Sequence, residues 1–357
     1  MLFVSLVLAG VTLLGESYEY CRVGSLGTSR DHFCSMRAVR IHKFGGVEEL
    51  KVENIPVPKA EAGEVLIRVF SVGVNPADTY IRAGDFGPRT FPLTLGSDAA
   101  GVVEEVGDGV TEFKKGDRVY TVGRETGAYA EYTVAVPSRM GHLDDNMTFA
   151  QGASIGVPYY TAWKALYFRA QAKPKETILV HGASGAVGIA AVQMAKANGH
   201  RVIGTAGTKE GLELVLKQGA DLVFNHREEG YVEKIKASTG DKGVDVILEM
   251  LANVNLNTDL DLLGHRGRVV IVGCRGEIKI NPAMTMGKET SIMGVALTSV
   301  TEEEWQVIRS GIQDLHKTGH INPVVAKEYK LDEVAKAHHD IINNSGTFGK
   351  LVLDTTR

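Results

Sequence analysis

Gly182, Gly185 and Gly188 follow the apolar run Ile178–His181 at three-residue spacing, and an apolar helix-forming stretch to Lys196 follows them. The run is short and β-prone, as a strand buried on both faces is. The segment therefore has strand, turn and helix in the order that a dinucleotide site requires. Each glycine has its own task. Gly182 allows a tight turn, Gly185 lets the backbone approach a pyrophosphate with no Cβ in the way, and Gly188 lets the helix lie close to the sheet. The helix start at Ala186 and Val187 then presents unsatisfied N–H groups and the positive dipole end to an anion, with the Ser184 hydroxyl as a further donor. At the end of the next strand, about 20 residues beyond the glycines, a site for unphosphorylated ribose carries an acid. This chain has Thr205-Ala-Gly-Thr-Lys209 there, and no carboxylate before Glu210. A 2′-phosphate would be met by the Gly207 and Thr208 backbone, by Lys209 and by His226, so the expected cofactor is NADPH. Lys209 is equally a candidate for a solvated helix-start residue.

Such a site needs a parallel sheet beneath it, and the chain from Glu176 supplies the pattern. Candidate strands at Ile178–His181, Arg201–Thr205, Leu222–Asn225, Val244–Glu249, Arg268–Val272 and Ile292–Leu297 alternate with helices near Val187–Ala197, Glu210–Gln218, Tyr231–Ser238 and Asn255–Leu263. The alternation predicts an α/β, doubly wound parallel sheet. Gly199, Gly219, Gly240 and Gly264 sit just past helix ends, where a left-handed cap suits glycine. From Met36 to Val136 the texture differs. Short strands at Ala38–Ile41, Val65–Val69, Gly101–Val103, Arg118–Tyr120 and Ala130–Val134, punctuated by Gly45-Gly46, Pro56, Pro58, Gly107 and Gly116, predict a compact β-barrel. A helical run from Pro158 crosses between the two. The helix Glu302–Lys317 and the segment Phe348–Leu353 return to the barrel, because the nucleotide sheet already has its full set of strands. The expected organisation is an extension over 1–35, a catalytic domain over 36–157, a nucleotide domain over 158–298, and a return to the catalytic domain over 299–357.

Two domains suit a chain of 357 residues. Charged residues make up 23% and the formal net charge is −4, which leaves no electrostatic footprint for nucleic acid or anionic membrane and points to small-molecule partners. Cys21, Cys34 and Cys274 form no C-x-x-C pair, so neither a disulfide framework nor a cysteine-rich zinc lobe is available, and a reducing, cytoplasmic setting is expected. Leu2–Leu14 is apolar, too short for a typical spanning helix and of a length that suits a signal-peptide core. No Lys or Arg precedes it, and Glu16 and Glu19 follow it. An extended or alternative gene start and a secretory or membrane signal both remain open.

Four separated motifs occur in order: Gly73-Val-Asn-Pro-Ala-Asp-Thr-Tyr-Ile-Arg82, Leu95-Gly-Ser-Asp-Ala-Ala-Gly-Val102, His181-Gly-Ala-Ser-Gly-Ala-Val-Gly188 and Glu249-Met-Leu-Ala-Asn-Val-Asn255. On a barrel followed by a nucleotide fold, they resemble the medium-chain dehydrogenase/reductase superfamily, and within it the zinc-free quinone oxidoreductases of the zeta-crystallin type. The resemblance runs from Met36 essentially to the C-terminus. It implies a GroES-like catalytic barrel, a Rossmann domain and NADPH-dependent reduction of quinones, with reduction of a conjugated enone as the alternative on the same fold. It also implies a homo-oligomer, dimer or tetramer, joined through the Ile292–Leu297 edge. Proteins it resembles are credited with binding AU-rich RNA and with a structural role in lens; no RNA-module pattern or basic stripe here supports the former.

Zinc-dependent members carry Cys where this chain has Asn75, and a His-Glu pair where it has Ser97-Asp98. Asn and Ser are poor zinc ligands, and Asp98 alone cannot assemble a site of three protein ligands, so no metal is expected. Without a Lewis acid the acceptor must already be electron-poor, as quinones and enones are. By resemblance Tyr80 lies beside the nicotinamide and the acceptor, where its hydroxyl would donate to oxygen gaining negative charge; the alternative is a ring packed in the barrel. Asn75 would help place the nicotinamide or, before Pro76, serve only as a turn residue, and Thr161 is a further catalytic candidate. Asn255, Val272-Gly273-Cys274-Arg275 and Val295-Ala296-Leu297 fall at carboxyl ends of strands, where open α/β sheets bind ligands, and match the family's nicotinamide-side contacts. Arg275 would face the acceptor or merely solvate a loop. Cys274 has no adjacent His and reads as structural.

Overall fold

The computed structural model describes residues 35–122, 127–343 and 348–357. The apolar stretch Leu2–Leu14, Cys21 and Cys34 lie outside them. β1 (Ser35–Ile41) extends the expected Ala38–Ile41 strand toward the N-terminus, with Ser35 paired with Pro56 of β2 (Lys51–Pro56). β3 (Val65–Val74) is the long, mostly buried strand of the barrel. It leads through α1 (Pro76–Ala83) and β4 (Leu93–Thr94) to β5 (Asp98–Val106), β6 (Arg118–Thr121), β7 (Tyr132–Ala135) and β8 (Met140–His142). Register shifts at Leu66/Ile67 and Val69/Ser71 bend β3 along β5, while its residues 65–68 also pair with β7. Bulges of this kind increase local twist and curl the sheet around its core, where Val39, Ile67, Val72, Leu95 and Met140 are buried.

α2 (Phe149–Gly152) and α3 (Gly156–Trp163), the latter extended by a π-helical stretch over Lys164–Arg169, carry the chain across. β9 (Thr177–Val180), α4 (Ala186–Ala197), β10 (Arg201–Ala206), α5 (Lys209–Lys217), β11 (Leu222–Asn225), α6 (Tyr231–Thr239), β12 (Val244–Glu249), α7 (Ala252–Leu262), β13 (Leu263–Ile271) and β14 (Ser291–Gly294) then alternate almost throughout. All six strands are parallel, in the order β11-β10-β9-β12-β13-β14. Strand order reverses at β9, so the crevice at its carboxyl end is the topological switch point where such sheets bind ligands.

Some expectations shift by local chemistry. Gly199, Gly219 and Gly240 take positive φ past helix ends, at 73°, 111° and 57°. Gly264 does not; it lies inside β13, where a Cβ would come within 2.1 Å of the Lys242 carbonyl oxygen, so close backbone approach is its reason. α7 begins at Ala252 rather than Asn255, anchored by the Ala252 N–H bond to the Gly273 carbonyl. β14 stops at Gly294, short of the expected Leu297, which instead opens a 3-10 turn.

α8 (Glu302–Lys317) starts on a capping box formed by Thr301 and Glu304 and sets Trp305 against Tyr160 of α3, ring centroids 5.3 Å apart. β15 (Val325–Lys330), α9 (Val334–Asn343) and β16 (Lys350–Asp354) follow. β16 pairs antiparallel with β3, giving the sheet order β15-β16-β3-β5-β6-β8.

Candidate active site

The three glycines of the turn after β9 separate cleanly. Gly182 holds φ +55°, which glycine adopts without strain. A Cβ on Gly188 would meet the Gly182 carbonyl oxygen at 2.5 Å and Ala183 Cα at 2.6 Å, so α4 could not lie this close with any larger residue. At Gly185, with φ −79°, a Cβ would meet only the Gly182 oxygen at an ordinary 3.4 Å. The protein itself does not demand glycine there; a ligand approaching the backbone would. Gly185 is the N-cap of α4 and supplies no side-chain cap, unlike Thr208 on α5 and Thr301 on α8. The first-turn N–H groups at Ala186 and Val187 thus keep their anion-binding capacity. The Ser184 carbonyl accepts from Gly349 N at 2.8 Å, so the segment leading into β16 closes onto this turn.

At the end of β10, Thr208 Oγ1 caps α5 by accepting from Gly211 N at 3.1 Å. Its hydroxyl is therefore engaged in the helix. Lys209 is largely exposed and sits 3.9 Å from Glu213. The cation better placed is one the sequence did not single out: a Cβ on Gly207 would lie 2.7 Å from Arg227 Nε and 2.8 Å from His226 Nε2. The Arg227 guanidinium has no carboxylate partner among the described residues. Its signal was its place just past β11, the strand that runs parallel beside β10.

On the other side of β9, Asn255 Nδ2 donates to Glu249 Oε1 at 3.1 Å. Val272 N and Gly273 N both donate to the Glu249 carbonyl, at 2.8 and 3.2 Å. Arg275 takes neither alternative in simple form: its guanidinium donates to the Ile342 carbonyl of α9 at 2.8 Å, tying the nucleotide loop to the segment beside the barrel. Cys274 is exposed, with Sγ 3.0 Å from the Gly276 carbonyl. Val295 N donates to the Ile271 carbonyl, and the Ala296 carbonyl accepts from Lys164 Nζ, which fixes the chain leading into Leu297.

The barrel side is built from paired charges. Asp98 is wholly buried and takes donors from Val157 N at 2.8 Å, Asn75 Nδ2 at 2.9 Å and Lys350 Nζ at 2.9 Å. Lys350 Nζ also donates to Asn75 Oδ1, which occupies both ends of the Asn75 amide. Gly73 and Gly156 make room for this pair: Cβ atoms there would meet Lys350 Cε at 2.6 Å and Asp98 Oδ1 at 2.4 Å. Beside it, Asp78 Oδ2 accepts from Asn75 N at 2.8 Å and from the Tyr129 hydroxyl at 3.0 Å, and that hydroxyl lies 3.1 Å from His338 Nε2. Burial, with the Asp98 charge adding to it, pushes the Asp78 carboxyl up to about 7; burial and then Arg82 pull His338 down to about 3. Tyr80 is half-buried on α1, its ring 5.9 Å from Phe86. Thr161, half-buried on α3, joins none of these networks. Zinc does not fit here. The positions that would have to ligate it are Asn75, Ser97 and Asp98, and a buried ammonium already takes the Asn75 and Asp98 oxygens.

The strand order, the glycine turn and the barrel together define a two-domain nicotinamide-nucleotide oxidoreductase. Residues 61–145 match the alcohol dehydrogenase GroES-like domain, and residues 186–311 match the family described as zinc-binding dehydrogenase, whose description the barrel-side donors do not follow. The quinone oxidoreductase of Rattus norvegicus is 51% identical over 320 residues, covering 89% of this chain and 97% of that protein; the Homo sapiens quinone oxidoreductase is 51% identical over 322 residues, with the same coverage. The crystal structure of Escherichia coli quinone oxidoreductase complexed with NADPH superposes with a TM-score of 0.81 at 32% identity, covering 89% of this chain and 100% of that one. The chain belongs to the quinone oxidoreductase family of the medium-chain dehydrogenase/reductases.

Proposed function

We propose that this protein reduces quinones with NADPH and does so without a metal ion. The observation that carries the proposal is the buried Lys350–Asp98–Asn75 group, which fills the place of a metal with an ammonium ion. An ammonium enclosed by its own acceptors cannot polarise a distant carbonyl as a Lewis acid does, so the acceptor has to be electron-poor from the start. Quinones meet that condition, and the Rattus norvegicus and Homo sapiens relatives carry that activity in their names.

The α4 start and the open space at Gly185 suit a pyrophosphate. The Gly207 and Thr208 backbone, with Arg227, His226 and Lys209, suits a 2′-phosphate. When bound, NADPH supplies the reducing equivalents. Asn255, Val272–Arg275 and Val295–Leu297 line its nicotinamide side. The Tyr80 hydroxyl donates a hydrogen bond to the acceptor oxygen as charge develops there, Asn75 is held rigid by the ion pair beside it, and Thr161 takes a lesser part. Conjugated enones are the alternative acceptors, since they would use the same donor.

NADPH oxidation by chelator-treated protein against a panel of quinones and enones tests this. Quinone turnover is expected to survive chelation. Turnover of enones alone would move the assignment to double-bond reduction, and activity lost on chelation and restored only by zinc would overturn the metal-free site. The same proposal places the protein in the cytoplasm as a homo-oligomer joined along β14, the outermost strand of its sheet, where Ser291, Ile292 and Gly294 are exposed. Among the described residues no helix is long and apolar enough to cross a membrane. A monomer by light scattering at micromolar concentration, or export of the full chain from the cell, would rule out the corresponding part.

A further inference from the structure

Beneath the glycine turn lies a group of buried ionisable side chains that the proposed chemistry does not use. His181 directly follows β9 and is 3% exposed; Glu249, the last residue of β12, and Asp259, on α7, are 0% exposed. His181 Nε2 is 3.0 Å from Asp259 Oδ1 and 3.8 Å from Glu249 Oε2. Neither Asp259 oxygen, nor Glu249 Oε2, has a hydrogen-bond donor in good geometry, so these carboxylates depend on the imidazole for neutralisation. Two contacts lead outward from the group. His181 Nδ1 lies 3.3 Å from Thr205 Oγ1, which also accepts from Gly182 N at 3.3 Å. Glu249 Oε1 accepts from Asn255 Nδ2 at 3.1 Å and from Leu251 N.

We propose that His181, Glu249 and Asp259 form a charge-sharing triad that positions both sides of the cofactor cleft, the Gly182 turn through Thr205 and Asn255 of α7 through Glu249, and makes NADPH affinity depend on the protonation of the triad. The proposal rests on the assignment of the cofactor to the Gly182–Gly188 turn. Burial pushes the Glu249 carboxyl up to about 7, with the Asp259 charge adding to the rise and His181 opposing it. Burial disfavours the charged imidazole, but the Asp259 carboxylate beside it, with the charge of Glu249, outweighs it and raises His181. The other titratable groups facing the cluster are Tyr231 of α6, which burial and then the Asp259 and Glu249 charges push up, and His226, which burial and then the His181 charge pull down. The three ligand-type atoms lie within 4.8 Å of one another, as around an ion, yet protonated His181 already brings the positive charge such an ion would bring.

As pH rises through about 7, Glu249 ionises and adds a negative charge under the turn that receives an anion. A unit charge about 10 Å from a bound phosphate changes affinity by about 17-fold at an effective dielectric of about 20, and salt screening brings this down to roughly threefold to tenfold. The test is NADPH binding by fluorescence titration from pH 6 to 8.5 in wild-type protein and in Glu249→Gln. Titration of the NADPH phosphates is common to both proteins and cancels in the ratio of their dissociation constants. That ratio, wild type over Glu249→Gln, is expected to rise by about threefold to tenfold across the range. In Asp259→Asn the rise should persist with its midpoint at higher pH, because losing Asp259 also withdraws the support that keeps His181 charged, and His181 lowers Glu249 more than Asp259 raises it; compared with wild type, this variant also keeps the test open if Glu249→Gln folds poorly. A constant ratio, or an Asp259→Asn midpoint that does not move, overturns the proposal by making the triad merely structural. NADPH binding unchanged in Gly185→Val would show separately that the cofactor does not use this turn.

Discussion

The glycine turn after β9 and the polar pocket under α1 meet where Gly349 bonds to Ser184 and the next residue, Lys350, reaches Asp98. They are built by opposite means. The turn consists of backbone, its only requirements being a positive φ at Gly182 and space at Gly185 and Gly188. The pocket consists of an ion pair from β5 and β16 and the Asn75 amide at the start of α1, which satisfy one another out of water. A binding surface of free N–H groups is left open for a ligand, whereas a closed ion pair is spent on holding its own neighbours. Mutations on the two sides should therefore fail differently: in stability on the barrel side, and in affinity with the fold intact on the nucleotide side.

The largest effect is expected from Lys350→Met, which leaves the Asp98 carboxylate buried without its counter-charge. Loss of one partner of a buried pair costs about 3 to 5 kcal/mol, readable as a fall in the urea midpoint. Lys350→Met combined with Asp98→Asn should recover part of that loss; no recovery would mean the pair is not what holds the pocket.

Asp78 gives the pocket a pH signature. Its folded carboxyl holds a proton up to about 7, while the unfolded chain releases it near 3.8. The folded state therefore binds more protons between these values, and its stability falls as pH rises across them, by up to about 4 kcal/mol. Asp78→Asn should lack this decline. Denaturant midpoints at pH 4.5 and 7.5, compared between wild type and variant, measure the difference, and an identical pH dependence in both would remove Asp78 as its source.

On the other side, Gly185→Val should fold normally, since its Cβ meets only an ordinary contact, yet lose NADPH affinity by about 100-fold or more, equivalent to about 2.7 kcal/mol. A lowered melting temperature with affinity intact would reverse the comparison. Arg227→Ala should weaken NADPH binding by about tenfold and spare NADH, as expected for one charge-assisted phosphate contact. The smallest effect falls to Lys209→Ala, about twofold, because Lys209 is largely exposed and lies near Glu213.

The same contrast decides what could be read from the chain. Gly182, Gly185 and Gly188, the missing acid at Thr205–Thr208, and α5, α6 and α8 are signals written within a few consecutive residues, and they lie where expected. Lys350 occupies an ordinary strand, and Asp98 is 252 positions away from it in sequence, so no local pattern joins them. The triad of His181, Glu249 and Asp259 was hidden for the same reason, and Asn75, ambiguous between turn and site, turned out to belong to the ion-pair network. Thr208 shows the limit of a local rule: the backbone there suits a phosphate, but its hydroxyl is taken by the α5 cap.

The central claim, that the end of β10 selects the phosphorylated cofactor for quinone reduction, is tested most directly by kcat/KM for NADPH and for NADH with one quinone, in wild type and in Gly207→Asp. The new carboxylate would displace the flexible ends of Arg227 and His226, pair with the guanidinium and repel a 2′-phosphate. Wild type is expected to prefer NADPH by about tenfold or more, and Gly207→Asp to lose NADPH efficiency while NADH is spared or improved. Equal use of both cofactors by the wild type, or equal loss of both in Gly207→Asp, would contradict the account.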